Sequence, residues 1–306
     1  MSQPIISFII PTYNEEKIIA KKLLDINNIN YPKDKIEIII VDESTDNTMN
    51  AIEQFFKTFL NYKQHIIVHN DERKGVAFAD NKGIQLASGE IIIRTDADTT
   101  LDPECINTVL KDFEDPKIGC VTGMPVAIGS LDEEAYRSIN TKIQIWESKI
   151  DSTIIAHGPF TAFRKSIPLE VDSNSIADDS EISLKIRKQG YRCIINPKIK
   201  FYEKTSLSGR EEQKVRRASG LVRLLWKHKH LFFNPKYGLY GFVVFPFNFL
   251  TIIVLPVILS PLLFLMICCE IKGGTLLETQ QFLAKAIYRL MRNKATIFWV
   301  QDKEIR

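Results

Sequence analysis

The sequence predicts an α/β fold: a mostly parallel sheet with helices on both faces, followed by a C-terminal membrane segment. Three observations lead there. Short runs rich in isoleucine and valine alternate with amphipathic helical stretches along the first half, and such alternation builds parallel sheets covered on both faces. Polar residues recur just after each apolar run, where ligands of open α/β sheets bind. Finally, Tyr237 to Cys269 holds 33 residues without a charge, counted between Lys236 and Glu270, and a charge-free apolar stretch beyond about 18 residues marks a membrane candidate.

In chain order, Ile5–Ile10 predicts a buried strand ended by Pro11, and Glu15–Ile26 a helix with Ile18, Ile19 and Leu23 on one face. Ile36–Val41 is the second strand; Asp42–Asp46 forms a turn that caps a helix through Phe59. His65–Val68 is a third strand, and Lys74–Ala87 a helix closed by Ser88-Gly89. Ile91–Ile93 is a fourth strand, and Asp102-Pro103 opens another helix. Beyond it, Ile118–Thr122 suggests a strand, Leu131–Ile150 a helix with Trp146, and Asp179–Gln189 a helix stopped by Gly190. Ser208 to His230 is helical, with Val215, Leu221, Val222 and Leu225 on its apolar face.

Arg210, Lys214, Arg216, Arg217, Arg223, Lys227, Lys229 and Lys236 crowd that last stretch. A basic amphipathic helix leading into an apolar run fits an anionic membrane surface. The overall charge of +3 is too small to argue for nucleic acid. Five cysteines without metal-ligand spacing or an even framework suggest a reduced compartment. Met1 to Pro4 runs directly into a strand, so no signal peptide is expected. The expected organisation is a catalytic domain over 1–235, a transmembrane or re-entrant segment over 236–270 and a short amphipathic tail over 271–306. Basic residues flank the apolar run on both sides, which places both flanks and the catalytic domain on the cytoplasmic face. Pro246, Pro256 and Pro261 could break the run into a re-entrant hairpin; one tilted span is the alternative.

The chemistry centres on Thr95-Asp96-Ala97-Asp98-Thr99, two carboxylates one residue apart just after an apolar strand. Such a pair can hold a divalent cation together with one group of a bound nucleotide. Taken alone it could equally be a turn or helix cap.

With that pair stand other ordered landmarks: Ile9–Glu15 (IIPTYNE), Val41–Thr48 (VDESTDNT), Arg73-Lys74-Gly75 with Asp80–Gly83, His157–Arg164 (HGPFTAFR), Ala177–Glu181 (ADDSE) and Gln213–Arg217 (QKVRR). In this order and spacing over roughly the first 230 residues, the sequence resembles the inverting nucleotide-sugar glycosyltransferases of family 2, which have the GT-A fold. The resemblance implies a sugar nucleotide diphosphate donor, preferably a UDP-sugar, and Mg²⁺ or Mn²⁺. Pro11, Thr12, Tyr13, Glu15, Asp42, Lys74, Gly75 and Asp96 would bind the donor, with Asp42 reading the base edge and Arg73 adding positive charge. Asp98, with Asp96, would ligate the metal. Asp179 would be the general base, with Asp178 in the position where the family usually carries Glu. Gly158, Gln213, Arg216 and Arg217 would face acceptor or diphosphate.

Processive polymer synthases of the family carry Gln-x-x-Arg-Trp before the membrane, whereas Arg217 replaces the tryptophan here. Single addition to a membrane-lipid, polyprenol-linked or saccharide acceptor is therefore the expected activity. A processive polysaccharide synthase and a non-catalytic nucleotide-sugar-binding membrane protein are the alternatives.

Overall fold

Ile6–Thr12 (β1) is a strand because four of its side chains, Ile6, Phe8, Ile9 and Ile10, find apolar cover on both faces of the sheet and are fully buried. Each such side chain contributes about 1.5–3 kcal/mol relative to exposure. The computed structural model describes residues 3–59, 64–128, 131–204, 210–261 and 275–292. Around β1 lie Ile36–Asp42 (β2), Gln64–His69 (β3) and Ile91–Arg94 (β4), all parallel. Ile19–Asn27 (α1), Thr48–Thr58 (α2) and Val76–Leu86 (α3) are the intervening helices. Half of the sheet is thus the expected parallel array.

The other half differs. Thr99–Leu101 (β5), Ile118–Ile128 (β6), Thr161–Arg164 (β7) and Arg192–Lys204 (β8) complete an eight-stranded sheet of order β3-β2-β1-β4-β7-β6-β8-β5. β7 runs antiparallel to both β4 and β6, and β5 antiparallel to β8. The sheet is therefore mixed, with four of its seven strand pairings parallel, β6 with β8 among them. Pairing of β6 with β8 jumps from Gly123–Asn196 to Met124–Lys200, so Pro197 sits in a bulge where its missing N–H costs no ladder bond. Cys105–Asp112 (α4), Leu131–Ile150 (α5) and Asp178–Lys188 (α6) connect these strands. Among the described residues Cys105, Cys120 and Cys193 are free and buried.

A buried carboxylate ties the start of the parallel half together. Glu37 of β2 accepts from Ser7 Oγ at 2.5 Å, Ser88 N at 2.8 Å and Ser88 Oγ at 2.9 Å. Three donors compensate the desolvation of that charge.

Arg210–Lys227 (α7), Tyr240–Ile258 (α8) and Thr275–Met291 (α9) form a second core beside the sheet. Val215, Val222 and Leu225, the apolar face of α7, pack with Ile154, Leu184, Tyr240, Phe245, Leu283 and Ala286. That face is filled by protein, not left for lipid as the sequence suggested. α8 is a helix of 19 residues with mean hydropathy 2.3, in which Tyr240–Val244 and Leu250–Val254 are π-helical. Its inner side is docked on the domain: Asn248 Nδ2 donates to Glu147 Oε1 at 2.5 Å, and Phe247 meets Trp146 edge-on with centroids 5.1 Å apart. Its outer side exposes Phe242, Leu250, Leu255, Val257 and Ile258. The rest of the expected hairpin, over 262–274, and the tail from 293 lie outside the described residues.

Candidate functional site

Strand register assembles the first part of the site. Thr12 pairs with Asp42 between β1 and β2, and Asp42 with His69 between β2 and β3. Three polar side chains thus stand side by side at the carboxyl ends of adjacent strands. Thr12 Oγ1 donates to Asp42 Oδ1 at 2.7 Å, Ser44 Oγ donates to the same oxygen at 2.5 Å, and His69 Nδ1 lies 2.7 Å from Asp42 Oδ2. Asp42 is 0 % exposed and its oxygens are engaged. His69, with its side chain 34 % exposed, stands between that carboxylate and the open cleft.

The next loops lean on this corner. Arg73 lies over the Tyr13 ring at 3.8 Å. Glu43, buried, accepts from Lys74 N at 3.0 Å and Gly75 N at 2.9 Å. Gly75 has φ +95°, a conformation glycine adopts without steric cost. The Lys74 ammonium rests over Phe78 at 4.7 Å. Pro11 continues β1 instead of ending it. Glu15 is buried, its backbone N–H donating to Thr48 Oγ1 at 2.8 Å.

The carboxylate pair follows β4. Thr95 N donates to Ile9 O at 3.0 Å and Thr95 Oγ1 to Pro159 O at 2.8 Å, which anchors this loop to both β1 and the 157–160 loop. Ala97 is buried while Asp96 and Asp98 are half-buried, and Asp96 Oδ1 meets Arg94 Nη1 at 2.7 Å. Among the described residues no three His, Cys, Asp or Glu side chains converge as a metal cage. Two carboxylates nevertheless fit Mg²⁺ or Mn²⁺, hard ions that take one or two protein oxygens and complete their shell with substrate phosphates and water.

A second group of carboxylates stands at the start of α6. Asp179 Oδ2 accepts from Gly158 N at 2.9 Å and its Oδ1 from Ser180 N at 2.6 Å. Asp178 Oδ2 lies 3.6 Å from Arg94 Nη2. Burial pushes the Asp178 carboxyl up to about 8; Arg94 pulls against that, while Asp179 and Asp80 add to it. Asp80, on α3, is pushed up to about 6 by burial, again against Arg94. Burial lowers His157 to about 4, so it is a neutral imidazole at physiological pH, paired with Gln144 Oε1 at 3.0 Å. On α7, loss of surrounding water works against the Arg217 charge, but Glu203, Asp179, Asp96 and Asp98 outweigh it and raise its pKa. Desolvation and Arg217 lower that of Arg216. Both arginines therefore stand within the field of Asp96 and Asp179. Gln213 is half-buried on the same helix.

Asp178 carries a pH signature. Its folded value lies above the ordinary 3.8, so between about pH 4 and about pH 8 the folded chain holds a proton that the unfolded chain has released. Stability therefore falls as pH rises through that window, and Asp80 adds the same sign over its lower part. Asp178→Asn is expected to flatten the decline of the thermal midpoint between about pH 6 and about pH 8.5, measured by calorimetry. A curve parallel to the wild type would contradict it.

Arg94 and His69 are not singled out by the sequence, and Asp80 and Glu43 appear there only as members of the Asp80–Gly83 and Val41–Thr48 stretches, without a role. Arg94 had a signal: a charge closing an otherwise apolar strand, Ile91-Ile92-Ile93-Arg94, must find buried partners. His69 had none, since it acts only through a strand distant in sequence.

Against known proteins, the chain matches Glycosyl transferase family 2 over residues 7–169 and Glycosyl transferase family group 2 over residues 91–277. It is 31 % identical over 227 residues to the poly-β-1,6-N-acetyl-D-glucosamine synthase of Staphylococcus aureus (strain COL), covering 70 % of this chain and 54 % of that one. To the synthase of the same name from Staphylococcus epidermidis it is 32 % identical over 237 residues, covering 72 % and 56 %. The chain spans about half the length of these curated relatives. Among solved structures, the mannosyltransferase PcManGT from Pyrobaculum calidifontis, in complex with GDP-Man and Mn²⁺, superposes with TM-score 0.77 at 26 % identity, over 96 % of this chain and 88 % of that one. S. aureus TarS 1–349 shares the fold at 16 % identity, with TM-score 0.54 over 96 % and 90 %.

Proposed function

Because the chain belongs to glycosyl transferase family 2 and has the GT-A fold, we propose that it transfers a sugar from a nucleotide diphosphate donor to a hydroxyl or phosphate acceptor, with inversion at the anomeric carbon. The observation that carries this reading is the seating of Asp179. Two backbone N–H groups orient its carboxylate at the same sheet edge that carries Thr12, Asp42 and Asp96.

In this reading Thr12, Tyr13 and Asp42 hold the nucleoside, and Arg73 and Gly75 bound the slot. Asp98 and Asp96 would hold Mg²⁺ or Mn²⁺, which supplies Lewis-acid stabilisation of the departing diphosphate. Arg216 and Arg217 add positive charge beside the same group. Asp179 takes the acceptor hydroxyl proton as oxygen attacks the face opposite the diphosphate. Arg217 in place of a chain-stacking tryptophan favours single addition. The synthase names of the relatives favour a polymer, and product length by chromatography decides between them.

The exposed outer side of α8 supports membrane association. Its inner side is docked on α5, and in this reading the helix lies along the lipid surface, with the catalytic domain on the cytoplasmic side. The acceptor would then be a lipid-linked or polyprenol-linked molecule presented at that surface.

The test is incubation of the purified chain with a panel of UDP- and GDP-sugars and Mn²⁺. Nucleotide diphosphate release that EDTA abolishes is expected for one base. Donor binding without release or transfer would instead support the non-catalytic reading.

A further inference from the structure

Arg94 closes β4 at a place where a charge is costly. It is 5 % exposed and follows three buried isoleucines. Its guanidinium finds Asp96 Oδ1 through Nη1 at 2.7 Å, Asp80 Oδ1 through Nε at 3.5 Å and Asp178 Oδ2 through Nη2 at 3.6 Å. The fourth neighbour is backbone. A Cβ placed on Gly158 would come 2.1 Å from Nη1 and 3.0 Å from Cζ. The guanidinium therefore fills the space that a side chain at 158 would take. Gly158 is also the residue whose N–H holds Asp179.

One planar group thus bears on the donor loop after β4, on α3, on the first residue of α6 and on the loop that seats the base. No secondary-structure element joins these four. Resting on the transferase reading, the geometry points to Arg94 as a positioning residue that fixes Asp96 against Asp178-Asp179 and the seat at Gly158. The role needs arginine: its flat fork reaches carboxylates in three directions and fits beneath a glycine, whereas a lysine ammonium is a compact point charge on a flexible stem. Among the described residues, the ion pairs of Arg94 go to Asp80, Asp96 and Asp178, and none goes to Asp42. Its loss should consequently spare nucleotide binding and reduce turnover.

The experiment compares the full chain with Arg94→Lys, Gly158→Ala and the double variant. It measures kcat and KM on the donor that the wild type uses, UDP and GDP affinity in EDTA by calorimetry, and the thermal midpoint. Arg94→Lys should lower kcat by roughly 30-fold or more, since a 1 Å misplacement can cost ~10²-fold. Affinity for the nucleotide diphosphate should stay within about 3-fold. Gly158→Ala keeps the N–H to Asp179 but drives a methyl into the guanidinium, so it should reproduce the kcat loss. The double variant should be no worse than the poorer single one, because both changes break one arrangement.

Arg94→Lys with kcat within about 3-fold of wild type would overturn the proposal. So would a parallel fall of kcat, nucleotide affinity and midpoint, or kcat losses that multiply in the double variant. If the wild type itself transfers nothing, the transferase reading fails separately. The link between 94 and 158 is then decided by whether their effects on the thermal midpoint are non-additive, as expected, or simply add, which refutes it.

Discussion

Asp179→Asn is expected to stop sugar transfer to a hydroxyl acceptor while leaving donor binding intact. A positioned general base contributes about 10²–10⁴-fold, the role proposed for Asp179. Its two oxygens face two different backbone donors, Gly158 N–H and Ser180 N–H. An asparagine must turn its NH₂ towards one of them, so the variant loses one of these bonds as well as the proton acceptor. That mismatch costs about 1 kcal/mol, small beside a typical domain stability of about 5–15 kcal/mol. A kcat loss of ~10³-fold on a sugar hydroxyl, with UDP or GDP affinity unchanged, is the expected split.

The same variant reports on the acceptor. A polyprenyl phosphate oxygen is already ionised and needs no base, so near-normal transfer to a phosphate alongside lost transfer to a hydroxyl would identify the acceptor class. Full activity of Asp179→Asn on a hydroxyl acceptor would remove Asp179 from the mechanism.

How much of this was legible in the sequence divides along the sheet. β1, β2 and β4 announce themselves as isoleucine runs because strands buried on both faces carry almost only apolar residues. Their ends fall where the polar motifs begin, so the nucleotide side of the site could be placed by residue. β5, β7 and β8 carry no such mark. β8 includes Arg192, Pro197, Lys198, Lys200, Glu203 and Lys204, and its apolar alternation is broken by the bulge against β6. β7 is four residues long and its position between β4 and β6 is set by pairing alone.

The site shows the same division. Asp96, Asp98, Asp178 and Asp179 are visible as motifs. What the sequence could not show is that Arg94 and the Gly158 backbone orient them, because that depends on the loops after β4 and before β7 meeting through Thr95 and Pro159. The apolar face of α7 misled for a related reason. Periodicity shows that Val215, Val222 and Leu225 share a face, but not whether α8 and α9 or lipid will cover it.

Asp42→Ala carries the second large effect. The carboxylate is fully buried, accepts from Thr12 and Ser44, and contacts His69. Removing it leaves these groups without their partner, at about 1–3 kcal/mol of stability. If Asp42 also reads the base, nucleotide affinity should fall by about 10²-fold or more, the scale at which a site loses a ligand whose polar edge goes unpaired. The burial of Asp42 adds a constraint that the motif could not show: the His69 imidazole occupies one approach to its Oδ2. His69→Ala opens that approach, so it should leave nucleotide affinity unchanged or raise it, in contrast to the loss in Asp42→Ala. Calorimetric titration of UDP and GDP into both variants, with thermal melts alongside, separates the two roles. A destabilised Asp42→Ala that still binds nucleotide at wild-type affinity would make Asp42 a clasp between β1, β2 and β3 and nothing more. A His69→Ala that loses affinity as far as Asp42→Ala does would instead make the imidazole itself part of the base-binding surface.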